Sequence, residues 1–210
     1  MRQKAQHSLP AKQQPDATAL LNLLEHFHPV SPAIAAFLKK HCEARLFRRG
    51  RQLVQAGRVC EKLYFIQRGA VRGFVKEGRK EITTWISVEN ELVTSISGID
   101  AQLPSEETIQ ALEDTYTLAL EIRDLEHLYG LAPEFNIITR KILQRYYRDA
   151  ERRALIARLS KAENRYRHFV SGYPHLINRI PLKYIASFLG LSLETISRIR
   201  KKLSTAEKNV

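Results

Sequence analysis

Two cysteines, one methionine and one tryptophan among 210 residues already exclude several kinds of chemistry. Cys42 and Cys60 cannot supply a four-cysteine iron-sulfur or zinc site from a single chain. So few thiols make no demand for an oxidising compartment, so both are expected as buried thiols in a cytoplasmic protein, with a redox-active pair as the alternative. No apolar run approaches the length of a membrane-spanning helix. The opening stretch MRQKAQHSLPAKQQPDAT lacks the apolar core of a secretion signal, and residues 1–18 are expected to be a disordered tail. No histidine occurs between His41 and His127, so the central region offers no strand-borne imidazoles for a barrel metalloenzyme. A glycine-rich phosphate loop and a nucleophile elbow are also missing. Glu106 and Glu107 are adjacent and point to opposite faces if extended, which makes them a poor carboxylate pair. No catalytic residue, metal site, cofactor or enzymatic activity is expected.

Acidic residues are scarce in one half only. Residues 131–210 hold 17 basic and 6 acidic side chains, whereas residues 1–130 hold 17 and 16, so nearly all of the chain's +12 charge sits at the C-terminal side. Such asymmetry points to a polyanion. A membrane surface would require a basic helix with a free apolar face, and RNA would usually bring a stacking sheet with a glycine-aromatic signature. Duplex DNA fits best.

The segment LKYIASFLGLSLETISRIRKKL, residues 182–203, gives that reading a structure. Leu182, Ile185, Phe188 and Leu189 recur at helical spacing, and Gly190 can take the positive φ of an abrupt helix exit. Ser192 is placed to cap a second helix, with Glu194 in its first turn. Ile196, Ile199 and Leu203 form its buried face, and Ala186 suits the close crossing of two helices. The outward face carries Leu193, Glu194, Ser197, Arg198, Lys201 and Lys202. Arg198 can fork onto guanine O6 and N7, Glu194 can accept from a cytosine amino group, and Leu193 or Thr195 can meet a thymine methyl. Lys201, Lys202 and Arg200 suit phosphates.

Upstream the period changes. Leu20 to Lys40 reads as a helical opening with a proline-containing break. From Ala44 the chain alternates short strands with turns: ARLF, RRGRQLV, AGRV, KLYFIQRG, AVRGFVK, EGRK and EITTWIS, then Ile109–Leu112 and Tyr116–Ile122, the pattern of a small β-roll. Asp124 is expected to cap a helix through Leu128. A long helix follows from about Pro133 to Leu159, with Phe135, Ile138, Ile142, Tyr146, Leu155, Ile156 and Leu159 as its apolar stripe. At about 40 Å it exceeds what one small barrel covers, so homodimerisation along it is expected. Two recognition helices about 34 Å apart would then meet successive major grooves.

This order of parts, with LYFIQRGAVRGF in the roll and IPLKYIASFLGLSLETISRIRKKL at the end, resembles the Crp/Fnr family of bacterial transcription regulators, relatives of the cyclic-AMP receptor protein. The resemblance spans residues 20–205. Within its S-x-E-T-x-x-R pattern, Glu194, Thr195 and Arg198 match base-reading and phosphate-contacting positions, and Gly57 and Gly69 match turn glycines of the roll. It implies an α+β fold: a disordered tail (1–18), a cyclic-nucleotide-binding-like β-roll (19–130), a long dimerisation helix (131–160) and a winged-helix-like helix-turn-helix domain (161–210).

Departures from the family pattern refine these expectations. Cyclic-nucleotide-binding members carry a Gly-Glu pair followed by an Arg-Ser pair whose arginine meets the phosphate; here NELVTSISGIDAQLPSEETIQALED places Glu106, Glu107 and Thr108 about there. Losing a charge-assisted bond costs ~1.5–3 kcal/mol, and an opposed charge adds to it. Cyclic AMP is therefore not expected; the effector pocket, empty or holding another small molecule, would lie around Trp85, Thr94, Ser95, Glu107 and Thr108. The N-terminal cysteine cluster of the family's iron-sulfur sensors is missing. Leu193 replaces an arginine of the receptor protein, so the operator need not be the same. Few residues follow Leu203, so any wing is expected before the motif, as a hairpin over Tyr173–Ile180. The expected function is a homodimeric, sequence-specific DNA-binding transcription regulator. The alternative is a small-molecule-binding module whose basic C-terminal domain contacts an acidic protein.

Overall fold

The computed structural model describes residues 16–101 and 103–208. Their packing divides into two compact units: one holds the residues up to Val75 together with Ile86–Gln144, the other Lys76–Trp85 with the residues from Arg145 onward.

The first unit opens with α1 (Thr18–Phe27) and α2 (Pro32–His41). Ser31 caps α2 by accepting from the Ile34 amide, and Pro32 supplies a first helical position that needs no donor. The expected tail is only partly reached: residues 1–15 lie outside the described residues. Asp16–Thr18 depart from it, since Ala17 is buried, Thr18 opens α1 and the Asp16 carboxylate accepts from the Thr18 amide at 2.9 Å.

Among the described residues eight strands follow: β1 (Glu43–Phe47), β2 (Gln52–Val54), β3 (Lys62–Arg68), β4 (Val71–Glu77), β5 (Lys80–Ser87), β6 (Leu92–Val93), β7 (Thr108–Ala111) and β8 (Thr115–Glu121), with the short helix α3 (Ile96–Ala101) between β6 and β7. They form two four-stranded sheets, ordered β1-β8-β3-β6 and β2-β7-β4-β5. Antiparallel registers such as Phe65↔Leu118 and Gly73↔Ile109 define each sheet. Phe65, Ile66, Phe74, Ile109 and Leu118 are buried in the resulting core. Gly69 sits at φ +115°, where an added Cβ would stand 2.7 Å from the Thr115 backbone, so the turn between β3 and β4 admits no side chain. Two expected strand segments are corrected. AGRV forms a turn with only an isolated bridge from Val59 to Pro104, and in RRGRQLV only Gln52–Val54 pairs. The Arg48–Arg51 part is a turn because the Arg49 amide and the Arg48 guanidinium are taken up by Asp114, at 2.9 and 2.6 Å.

Helix α4 (Ile122–Leu131) follows β8 directly, with Glu121 at its cap position. Asp124 is thus not the cap expected of it. It lies one turn in and faces His41 Nδ1 at 3.3 Å. The long helix α5 (Pro133–Arg158) ends one residue before its expected limit. Phe135, Ile138, Ile142 and Ile156 are buried, as that stripe requires, but Leu155 is exposed. A different face is open to solvent: Leu143 and Tyr147 are 60% and 68% exposed, and Ala150, Ala154 and Ala157 continue the four-three spacing.

In the second unit, α6 (Ala162–Gly172) leads through a single 3₁₀ turn, Pro174–Leu176, to α7 (Leu182–Leu189) and α8 (Leu193–Lys208). The hairpin expected over Tyr173–Ile180 is absent. Ile180 donates its amide to the Leu176 carbonyl at 3.0 Å, and both side chains are buried at helical spacing rather than at strand alternation. Among the described residues no helix is long and apolar enough to cross a membrane.

Candidate nucleic-acid interface

The turn between α7 and α8 is built as the local chemistry dictates. Gly190 takes φ +61°, ψ +38°, and the Leu191 amide reaches back to the Ala186 carbonyl at 2.9 Å, closing the end of α7. Ser192 Oγ accepts from the Thr195 amide at 3.1 Å and lies 2.9 Å from the Thr195 hydroxyl. This caps α8 and draws Thr195 toward the turn. Ile185, Ala186, Leu189, Ile196 and Ile199 are buried, and Leu203 is half-buried. Behind them Phe169 of α6 packs against Phe188, ring centroids 5.5 Å apart, with Tyr173 beside both.

That packing decides what remains outside. Leu193, Glu194, Ser197, Arg198, Lys201 and Lys202 are exposed, and Thr195 is half-buried. Among the described residues, Glu194 and Arg198 carry no ion pair or side-chain hydrogen bond, so both heads face water. Lys202 differs. Its ammonium donates to Glu163 Oε2 at 2.7 Å, while Arg167 donates to Oε1 of the same carboxylate at 2.9 Å. These bonds, Lys202's first and Arg167's second, hold the Glu163 carboxyl below the ordinary glutamate range.

Two groups outside the sequence expectation take part in this unit. Arg165 of α6 donates from Nη1 to the Leu189 carbonyl at 3.0 Å. Ser187 Oγ on α7 accepts from the Thr83 amide and donates to the Glu81 carbonyl, each at 2.9 Å. The spacing from Glu163 to Arg167 is a readable helix pair. The partners of Arg165 and Ser187 are too distant in sequence for any local signal.

The residues expected around an effector pocket fall on both units. Trp85 belongs to the second unit, half-buried on β5. In the first, Thr94 and Ser95 follow β6, and Glu107 and Thr108 enter β7. Thr94 Oγ1 donates to the Lys62 carbonyl at 2.9 Å and lies 3.5 Å from Cys60 Sγ. Ser95 is buried, and its carbonyl accepts from Gly98 at 3.0 Å to begin α3. Thr108 Oγ1 accepts from the Ala56 amide at 3.2 Å. Ser105, buried beneath Glu107, donates its hydroxyl to the Glu107 carbonyl at 2.7 Å and its amide to the Arg58 carbonyl at 2.9 Å. The chain from Ala56 to Lys62 is thus the common wall on which Thr94 and the Ser105–Thr108 segment are hung. Glu106 points to solvent and Glu107 is half-buried.

Cys42 and Cys60 are free and buried. Burial, aided by the charge of Asp124, pushes the Cys42 thiol up to about 12, so it carries no thiolate at neutral pH. Among the described residues no cluster of His, Cys, Asp or Glu is arranged to hold a metal ion.

Residues 44–130 match the cyclic nucleotide-binding domain family. The transcriptional activator protein FnrA of Stutzerimonas stutzeri is 28% identical over 167 residues, 74% of this chain and 68% of that protein. Among solved structures, a CooA mutant from Carboxydothermus hydrogenoformans superposes with a TM-score of 0.69 at 18% identity, covering 92% of this chain and 86% of that one. The catabolite activator protein of Thermus thermophilus gives 0.53 at 24% identity, with 88% of each chain covered. The fold is therefore α+β, a β-roll followed by helices with a C-terminal helix-turn-helix. The domain match, the FnrA-like sequence and this fold together make the chain similar to the Crp/Fnr transcription regulators.

Proposed function

We propose that this chain is a homodimeric, sequence-specific DNA-binding regulator that reads the major groove with Leu193, Glu194, Thr195, Ser197 and Arg198, and meets phosphates with Lys201 and Lys202. The single observation that carries this reading is the division of α8, with Ile196 and Ile199 buried while Glu194 and Arg198 are exposed and, among the described residues, without an ion pair. A guanidinium and a carboxylate four residues apart on an open helix face are bidentate readers of guanine and acceptors from cytosine. The work is binding, with no catalytic step.

Two further parts belong to the proposal. The open α5 stripe of Leu143, Tyr147, Ala150, Ala154 and Ala157 has the spacing of a coiled-coil seam, which supports pairing of two copies along this helix. Division into a sensor roll (19–130), a dimerisation helix (131–160) and a reader (161–210) follows from that role. The roll would take an effector other than cyclic AMP around Thr94, Ser95, Glu107 and Thr108, whereas Trp85 belongs to the other unit. Glu106 and Glu107 would repel a phosphate, and the Thr94 and Thr108 hydroxyls are engaged within the chain. The setting is the cytoplasm, where the DNA is.

Selection of bound fragments from a random duplex pool tests the reading. The expected result is one enriched motif with inverted symmetry; recovery of unrelated sequences in proportion to their abundance would refute it.

A further inference from the structure

We propose that Arg165 is a positioning residue for sequence reading: from α6 it holds the turn between α7 and α8, and so sets the angle at which Glu194 and Arg198 are presented. The inference rests on the DNA-reading assignment above.

Leu189 is the last residue of α7, and its carbonyl is among those a helix end leaves without an internal partner. Arg165 Nη1 supplies the donor at 3.0 Å. The cation also lies at the negative end of the α7 dipole. The same nitrogen is 3.4 Å from where a Cβ on Gly190 would stand. The left-handed φ of +61° is what calls for glycine here, and the guanidinium lies in ordinary contact beside it.

The rest of the side chain gains less from its surroundings. Arg165 Nε is buried and has no hydrogen-bond partner among the described residues. An unsatisfied buried donor is a cost that methionine in the same space would avoid. What Arg165 contributes in return is concentrated in its bond to the turn. Two residues earlier on the same helix, Glu163 grips Lys202 in the second half of α8. One short stretch of α6 therefore anchors the recognition helix at its entrance and again further along its length.

Base reading tolerates little error. A tilt of about 10° at Gly190 moves a residue ~12 Å along α8 by ~2 Å, several times the ~0.5 Å within which a binding constellation must be held. Loss of the Arg165 anchor should therefore blunt discrimination between sequences more than it weakens phosphate-driven attachment.

The test uses the full chain, a duplex selected by the wild-type protein from a random pool, and a base-shuffled duplex of the same composition. Arg165→Met is expected to lower the ratio of the two affinities by about tenfold, the scale of one bidentate base contact, while affinity for the shuffled duplex stays within about twofold. Arg165→Lys, whose ammonium can donate to the same carbonyl, is expected to keep most of the ratio. A ratio unchanged in Arg165→Met, or a loss in Arg165→Lys as large as in Arg165→Met, overturns the proposal. If Arg165→Met does not melt cooperatively, Arg165→Gln against Arg165→Lys is read in the same way. A wild-type protein that enriches no sequence overturns the DNA-reading assignment itself, a result distinct from a discriminating wild type with an equally discriminating Arg165→Met.

Discussion

Glu163 and Lys202, 39 residues apart in the chain, close an ion pair of 2.7 Å between α6 and α8. Arg167 shares the same carboxylate. The pair ties α8 to the helix behind it, and Lys202 must leave Glu163 to make the phosphate contact proposed for it.

The titration of Glu163 follows from that geometry. Its folded pKa is depressed by Lys202 and Arg167, so its contribution to stability is present above the unfolded carboxylate value of about 4.3 and is lost as pH falls through the lowered folded value. Glu163→Gln should lower the melting temperature of the C-terminal unit slightly at neutral pH. The difference from wild type should shrink on acidification, as followed by thermal melts across pH. Because the site is open to solvent, added salt should shrink it too.

The exposed seam of α5 gives a second expectation. Burying Leu143 and Tyr147 against a second copy is worth ~1.5–3 kcal/mol for each side chain, and each ~1.4 kcal/mol is tenfold in dissociation constant. Replacing both with glutamate should therefore raise the dimer dissociation constant by about a hundredfold or more. Sedimentation equilibrium checks this: a wild type that sediments as a monomer would refute the proposed dimer, and a double variant that associates as tightly as the wild type would place the interface elsewhere.

Gly69→Ala should damage the β-roll without touching the reader. The added Cβ meets the Thr115 backbone at 2.7 Å, and φ +115° is strained for alanine. A loss of ~1–3 kcal/mol from the first unit is expected, measured by denaturant melts in which the helical signal follows both units and Trp85 fluorescence follows the second.

Legibility in the sequence tracked the range of the physics involved. Gly190 and Ser192 were readable because a left-handed helix exit and a hydroxyl cap are settled within four residues. The open face of α8 was readable because one period separates Ile196 and Ile199 from Glu194 and Arg198. The segment from Tyr173 to Ile180 was misread as a hairpin. The hairpin was expected there because a wing had to precede the motif when few residues follow Leu203, but the spacing of four between Leu176 and Ile180 serves a helical turn packed inside the unit. On α5 the expected stripe is buried at Phe135, Ile138, Ile142 and Ile156 and fails at Leu155, and it is the face the chain covers for itself; the open face carries Leu143 and Tyr147. Partners such as Glu163–Lys202 or Arg165–Leu189 had no local signature, since nothing short of the fold brings α6 beside the turn.

Reading by Arg198 is the claim on which the functional account stands, and a base-by-base affinity scan measures it most directly. The duplex selected by the wild-type protein is substituted at each position in turn and titrated at fixed salt with wild type and Arg198→Ala. The account predicts that the variant loses ~1–3 kcal/mol on the selected duplex and becomes indifferent at one position of each half-site, with the other positions read as before. An Arg198→Ala profile that overlays the wild type at every position would contradict it.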